Sequence, residues 1–402
     1  MTDNKTESTN HTSIKDTDKN SITEYETFDD MNLNNKILRG IYTKGWEEPS
    51  VIQRRAIIQI INGKDLIIQS QSGTGKTGTF IIGILQKIKL DIPECQAIII
   101  SPTRELARQS ISVCKSIGQY MMEDISVVSC IGGTNIRDSR KELINRTSIV
   151  IGTPGRIIDM LNRGYLYTDF VNIFVLDEAD ELLRSNFQEQ VKSIITSLHN
   201  TTQICLVSAT MPQEVIELAD QFLKNPMKIL IKQDKLTLEG IKQYYINVRD
   251  NKYKLETICD LYKWISVNQS IIYANTVDRA RYLKEQLEEK NFVVSVIYSK
   301  GMTMDERINI MNKFISGESR VLISTDLLSR GIDVHRVRMV INYDIPKNKE
   351  SYLHRIGRSG RYGRKGIAIT LITDRDGYRL RELEHFYATK IEPMPKPETI
   401  TF

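Results

Sequence analysis

"DLIIQSQSGTGKTGTFIIGILQKI", residues 65–88, runs from a short apolar segment through a glycine-rich loop into an apolar stretch of helical length. "DLIIQ" has the length and bounds of a buried strand, and "GTFIIGILQKI" continues as a helix. A loop held between those two elements presents the backbone N–H groups of a helix N-terminus to an anion. In "SQSGTGKT" (70–77) the positions Ser72, Gly73, Thr74 and Gly75 wrap a phosphate chain and Lys76 reaches its terminal phosphates. The Thr77 hydroxyl is placed to bind Mg²⁺. Ser70 stands where the general pattern has its first glycine, a tolerable change because the later glycines shape the turn.

The same alternation of strand and helix extends in both directions. "AIIIS", "SIVIG", "IFVLD" and "ICLVS" lie in the first half with "DLIIQ", and amphipathic stretches such as "QEQVKSIITSLH" lie between them. "SIIYANT", "VSVIYS", "RVLISTD", "RMVINYD" and "GIAITLIT" repeat the pattern in the second half. Short apolar strands alternating with helices predict parallel sheets covered on both faces, hence two α/β domains. The expected boundaries are a polar, disordered tail over 1–21, a first domain over 22–233, a linker over 234–241 ("DKLTLEGI") and a second domain over 242–402.

Polar and glycine-rich segments gather just after the apolar runs, where open parallel sheets bind their ligands. "VLDEAD" (175–180) closes one run with clustered carboxylates. Beside a phosphate loop, Asp177 suits Mg²⁺ and Glu178 suits the orienting or deprotonation of an attacking water. "SAT" (208–210) ends another run. "PTREL" (102–106), "GG" (132–133) and "TPGR" (153–156) supply hydroxyls, backbone N–H groups, Arg104 and Arg156, a set that fits a sugar-phosphate chain better than base edges. In the second half, "HRIGRSGRYGRKG" (354–366) carries four arginines and leads into another apolar strand, so it is folded rather than a loose basic tail. Arg358 and Arg361 fit the part of arginine fingers, reaching the γ-phosphate across a cleft between the domains.

Taken together, "GWEEPSVIQ" (45–53), "SGTGKT", "PTREL", "TPGR", "DEAD", "SAT", "STDLLSRGID" and "HRIGRSGR" resemble the DEAD-box RNA helicases from about Phe28 to Phe386. "FDDMNL", "LRGIY", "CIGGTN" and "LTLEGIKQ" resemble the translation initiation factor 4A group of that family, which includes exon-junction and ribosome-assembly paralogues. The resemblance implies two RecA-like domains that close on ATP–Mg²⁺ and single-stranded or short duplex RNA. It implies that Phe28 stacks on adenine, that Gln53 bonds its amino edge, and that Gly331 and Asp333 complete the nucleotide site. It also implies that Ser208, Thr210 and His354 couple closure to hydrolysis. RNA contacts implied in the first domain are Pro102, Thr103, Arg104, Gly133, Thr153, Gly155 and Arg156, and in the second Asn275, Thr276 and Thr325. Met304 stands where the family has glutamine, and Trp46 where it has phenylalanine.

The remaining features bound the function. A net charge of +5 on 402 residues is compatible with nucleic acid without arguing for it. The five cysteines form no CxxC pair, which points away from zinc or disulfides and toward a reducing compartment. No apolar run has membrane-spanning length and the N-terminus has no signal-peptide pattern, so the expectation is a soluble, intracellular, monomeric protein without membrane contact. The expected activity is RNA-dependent ATP hydrolysis with local unwinding in translation initiation. An ATP-locked RNA clamp of the nuclear paralogues is the alternative, and an ATPase on DNA or small molecules is a third reading. A helicase-activating scaffold protein is the implied partner. The expected location is cytoplasmic, the alternative nuclear or nucleolar.

Overall fold

The computed structural model describes residues 23–71, 73–184, 187–230, 241–265, 269–298, 301–326, 336–359 and 366–395. The expected tail lies outside these residues, as do 234–240 of the expected linker. Ile241, placed in that linker by sequence, instead opens a strand.

Two seven-stranded sheets, every pairing parallel, organise the chain. The first contains β1 (Leu66–Gln69), β2 (Ala97–Ile100), β3 (Val127–Cys130), β4 (Ile149–Gly152), β5 (Ile173–Asp177), β6 (Gln203–Ser208) and β7 (Met227–Leu230), in the order β3-β4-β2-β5-β6-β1-β7. The second contains β8 (Ile241–Asn247), β9 (Gln269–Tyr273), β10 (Val294–Ile297), β11 (Val321–Ser324), β12 (Val337–Asn342), β13 (Gly366–Ile372) and β14 (Glu392–Pro393), in the order β10-β11-β9-β12-β13-β8-β14.

Residues alternate between the two faces of each strand, and here both faces are covered. In the first sheet Ile68, Ile99, Ile151, Val175 and Val207 enter one core, while Ile67, Ile98, Val150, Phe174 and Leu206 enter the other. The second sheet divides likewise, with Ile272 and Ile341 on one face and Ile271 and Val340 on the opposite one. All five cysteines are buried and unpaired, and burial pushes the Cys95, Cys114 and Cys130 thiols up to about 12.

Strand pairing across β3 and β4 leaves no room beside Gly152, which faces Cys130. A methyl group there would sit 2.0 Å from the Cys130 carbonyl oxygen. Gly152→Ala is therefore expected to force the edge strand outward, at a cost of about 1–3 kcal/mol. Urea unfolding of the full chain checks this, and an unchanged midpoint would show that β3 yields freely.

Candidate active site and nucleic-acid interface

Because every strand of the first sheet runs the same way, its polar loops emerge along one edge in the order set by strand pairing. The loops after β5, β6 and β1 carry the carboxylates, "SAT" and the glycine-rich loop, while those after β3, β4 and β2 carry "GG", "TPGR" and "PTREL". The edge is thus divided into a half carrying the loops expected to work on phosphate and a half carrying the loops expected to hold a polymer.

In the first half, Gly75 takes φ +91° and caps the helix Lys76–Lys87, with Gly73 also left-handed at φ +86°. The buried Lys76 ammonium donates to the Ser70 and Gln71 carbonyls, each at 2.7 Å, and Thr77 is half-buried in the first turn. Ser72 lies outside the described residues. The Ser70 and Thr74 hydroxyls bond one another at 2.7 Å. Gln53 is tied to this loop: its Oε1 accepts from Ser50 N–H at 2.8 Å in a capping box, and its Nε2 reaches the Gly75 carbonyl at 3.5 Å. Phe28 sits in the core with no exposed ring surface. Stacking on a base would require uncovering it.

β5 delivers Asp177, and the chain then turns through Glu178 at φ +53°, a left-handed conformation that costs a non-glycine residue about 1–3 kcal/mol. Asp177 Oδ1 accepts from Glu178 N–H at 3.1 Å, while its Oδ2 is buried with no hydrogen-bond partner. Burial pushes the Asp177 carboxyl up to about 7, Glu178 adding to the rise and Lys76 opposing it. A buried carboxylate oxygen lacking a donor, with a second acid beside it and the Thr77 hydroxyl on the adjoining loop, fits Mg²⁺, which takes oxygen ligands.

Two residues further on, Asp180 is the centre of a network that the sequence reading does not single out. Its Oδ1 accepts from Ser208 Oγ at 2.7 Å and its Oδ2 from Thr210 Oγ1 at 2.6 Å. The second sheet's His354, fully buried, places Nε2 3.5 Å from Asp180 Oδ2 and Nδ1 3.9 Å from Glu178 Oε2. Ser208, Thr210 and His354 therefore meet at one carboxylate. Its signal in the sequence is its place after Glu178 in "DEAD".

Of the four arginines of 354–366, Arg355 turns inward. It is fully buried, donating to Asp326 Oδ1 at 2.6 Å, the Asp344 carbonyl at 2.9 Å and Asn275 Oδ1 at 2.7 Å. Arg358 is buried with Nε donating to the His354 carbonyl at 3.1 Å. Gly331, Asp333, Arg361 and Arg364 lie outside the described residues.

The polymer half is built from helix N-termini, which favour phosphate. Thr103 caps Arg104–Ile117 by accepting from Leu106 N–H, Thr153 precedes Pro154–Asn162 with proline in the first turn, and Thr276 caps Val277–Glu289 on the second sheet. Gly133, at φ +85°, lets the Arg104 guanidinium approach: a Cβ there would meet Arg104 Nη1 at 2.4 Å. Arg156 braces the same loop through Thr134 and the helix that follows it, Ile136–Ile144, through Ser139. A groove of about 500 Å³ results, lined by Pro102, Arg104, Thr153, Gly155 and Arg156 and, beyond the expected set, by Phe187 and Gln190. The Asn275 amide is committed internally, its Nδ2 to the Ile345 carbonyl and its Oδ1 to Arg355. Thr325 follows β11 at the equivalent edge of the second sheet.

A family model described as DEAD/DEAH box helicase matches residues 50–218, and one described as helicase conserved C-terminal domain matches 253–363. The ATP-dependent RNA helicase eIF4A of Candida albicans is 53% identical over 368 residues, covering 92% of each chain. The chain belongs to the DEAD-box helicases. The eukaryotic initiation factor 4A of Caenorhabditis elegans is 49% identical, also over 92% of both chains. Among solved structures, S. cerevisiae Dbp5 bound to RNA and ADP BeF3 superposes with a TM-score of 0.86 at 31% identity, covering 92% of this chain and 95% of that one. This DEAD-box chain thus has the two RecA-like domains that its motifs imply.

Asp180→Asn keeps the shape at the network's centre but removes a charge that two hydroxyls bond. RNA-stimulated ATP turnover is expected to fall roughly tenfold or more, since charge-assisted hydrogen bonds contribute about 1.5–3 kcal/mol each. Steady-state phosphate release checks this, and wild-type turnover would reduce Asp180 to a structural acceptor.

Proposed function

We propose that the protein is an ATP-dependent RNA helicase of the initiation factor 4A type, hydrolysing ATP to ADP and phosphate while its two domains clamp single-stranded RNA. The observation that carries this reading is the convergence of Ser208, Thr210 and His354 on Asp180, next to the Glu178 carboxylate. A carboxylate chemistry completed only when the second sheet arrives makes hydrolysis conditional on closure.

In this reading the glycine-rich loop and Lys76 hold the phosphates of ATP, Gln53 holds the loop to its helix, and Thr77 and Asp177 would hold Mg²⁺. The metal, when bound, neutralises charge on the phosphate oxygens. Glu178 orients a water and takes its proton as the water oxygen bonds to the γ-phosphorus and the bond to the bridging β–γ oxygen breaks. Arg358, reaching from the second domain, balances charge on the transferring group, with Arg361 assigned the same task. Gly331 and Asp333 are assigned to the nucleotide's sugar side.

Pro102, Thr103, Arg104, Gly133, Thr153, Gly155 and Arg156, with Thr276 and Thr325 opposite, address phosphate and ribose, so sequence preference is slight. Asn275 acts by holding its loop. Bending of the bound strand on closure separates it from a paired strand, and hydrolysis releases it. Among the described residues no helix is long and apolar enough to cross a membrane. We place the protein in the cytoplasm as a monomer that a scaffold protein activates.

Glu178→Gln separates binding from chemistry. ATP-dependent RNA affinity is expected to persist while turnover drops by roughly a hundredfold or more, the usual scale for losing a general base. Parallel RNA-binding and phosphate-release assays, with DNA and GTP as controls, test this. Normal turnover, or equal stimulation by DNA, would overturn it.

A further inference from the structure

Asp180 lies near the start of the short helix Ala179–Arg184, and His354 near the end of Lys349–Ile356. One turn further along the first helix stands Arg184; one turn earlier on the second stands Glu350. Residues four apart share a helix face. Arg184 Nη1 meets Glu350 Oε1 at 2.7 Å, while His354 Nε2 lies 3.5 Å from Asp180 Oδ2. The two helices therefore face each other antiparallel across the cleft, joined at two points a turn apart. A single contact would leave them free to pivot, whereas two fix their register.

The second point is framed on its own side. Arg184 Nη2 also reaches Glu214 Oε2 at 3.1 Å, which holds the guanidinium in place from within the first domain. Only 16% of the Glu350 side chain and 32% of the Arg184 side chain are exposed, so water screens this pair less than a free surface pair. A separate bridge, Arg307 to Glu105 at 3.3 Å, joins the sheets beside the Arg104 loop, on the polymer half. Arg184–Glu350 is its counterpart on the nucleotide half.

We propose that Arg184 and Glu350 are positioning residues for hydrolysis, their ion pair setting the register in which His354 meets the Glu178 and Asp180 carboxylates. This rests on the reading of the cleft as an ATP site that closes on RNA. Neither residue touches the reacting atoms. Their effect belongs to turnover in the closed form and not to ATP capture by the first domain.

The test compares the full-length wild type with Arg184→Glu, Glu350→Arg and the doubly exchanged chain, measuring kcat at saturating ATP and RNA alongside ATP affinity without RNA. Each single reversal is expected to lower kcat roughly five- to tenfold, the scale of an ion pair turned into repulsion, and to leave ATP affinity unchanged. The double exchange is expected to recover part of the lost kcat, because opposite charges again face each other across the cleft while the carboxylate placed at position 184 lies beside Glu214. Arg184→Gln, which removes attraction without adding repulsion, is expected to fall between. Wild-type kcat in the single variants, or no recovery in the double exchange, overturns the proposal. A wild type that RNA does not stimulate sinks the underlying reading, and the register lock with it.

Discussion

A buried carboxylate must be satisfied, and Asp180 is approached from two directions. The Ser208 and Thr210 hydroxyls supply donors from the strand next door, and they alone would make a closed, internal arrangement. His354 brings a further polar ring from the other sheet to a place with no solvent, where an imidazole without a partner is costly. The ring nitrogens face Glu178 on one side and Asp180 on the other, at 3.9 and 3.5 Å. Domain contact and carboxylate environment are therefore one quantity. A change at the cleft alters the field at Glu178, and a change at Glu178 alters the cost of keeping the cleft closed.

That coupling is useful only because the parallel sheet puts everything else along the same edge. Strand order separates the nucleotide loops from the polymer loops, yet β2 and β5 are neighbours, paired from Ala97–Ile173 to Ile100–Leu176. Beyond that pair, β2 leads to Thr103 and Arg104, and β5 leads to Asp177 and Glu178. The two halves share a seam of hydrogen-bonded backbone. Left-handed Glu178 lies at this seam, held by the strand behind it and the helix ahead of it.

The central strands are legible in the sequence because both of their faces are buried, which writes an unbroken apolar run. Such runs mark five strands per sheet where the structure has seven. The unmarked ones, β3, β7, β8 and β14, are edge strands or lie next to one, and their residues are half exposed, so "IKQYYIN" and "MKIL" carry no such run. Site residues in loops after buried strands are legible for the same reason: a polar tripeptide means little alone but much at a strand end. What the sequence does not convey is direction. By motif Asn275 reads as a polymer contact and Arg355 as part of a cationic cluster, yet each is turned into the second domain, bonded to the other. Asp180 has only its place in "DEAD" to mark it, since nothing local tells a carboxylate that binds metal from one that gathers hydroxyls.

The inward turn of Arg355 also explains why an arginine stands at that position. Burying a cation is costly unless its donors are met. The guanidinium fork meets Asp326, the Asp344 carbonyl and Asn275 in different directions and lies over the Tyr273 ring, 5.3 Å from its centre. A lysine, a point charge on a flexible stem, could not hold three such partners apart. Asp344 in turn accepts from the Asn275 backbone N–H and pairs with Arg279 and Lys254, so the loop after β9 is held from both ends. His354 and Arg355 share a peptide bond, one aimed across the cleft at Asp180 and the other inward at the Asn275 loop. Both side chains stand on the same short helix, Lys349–Ile356, so the hold on the Asn275 loop and the aim of His354 are set by one piece of backbone.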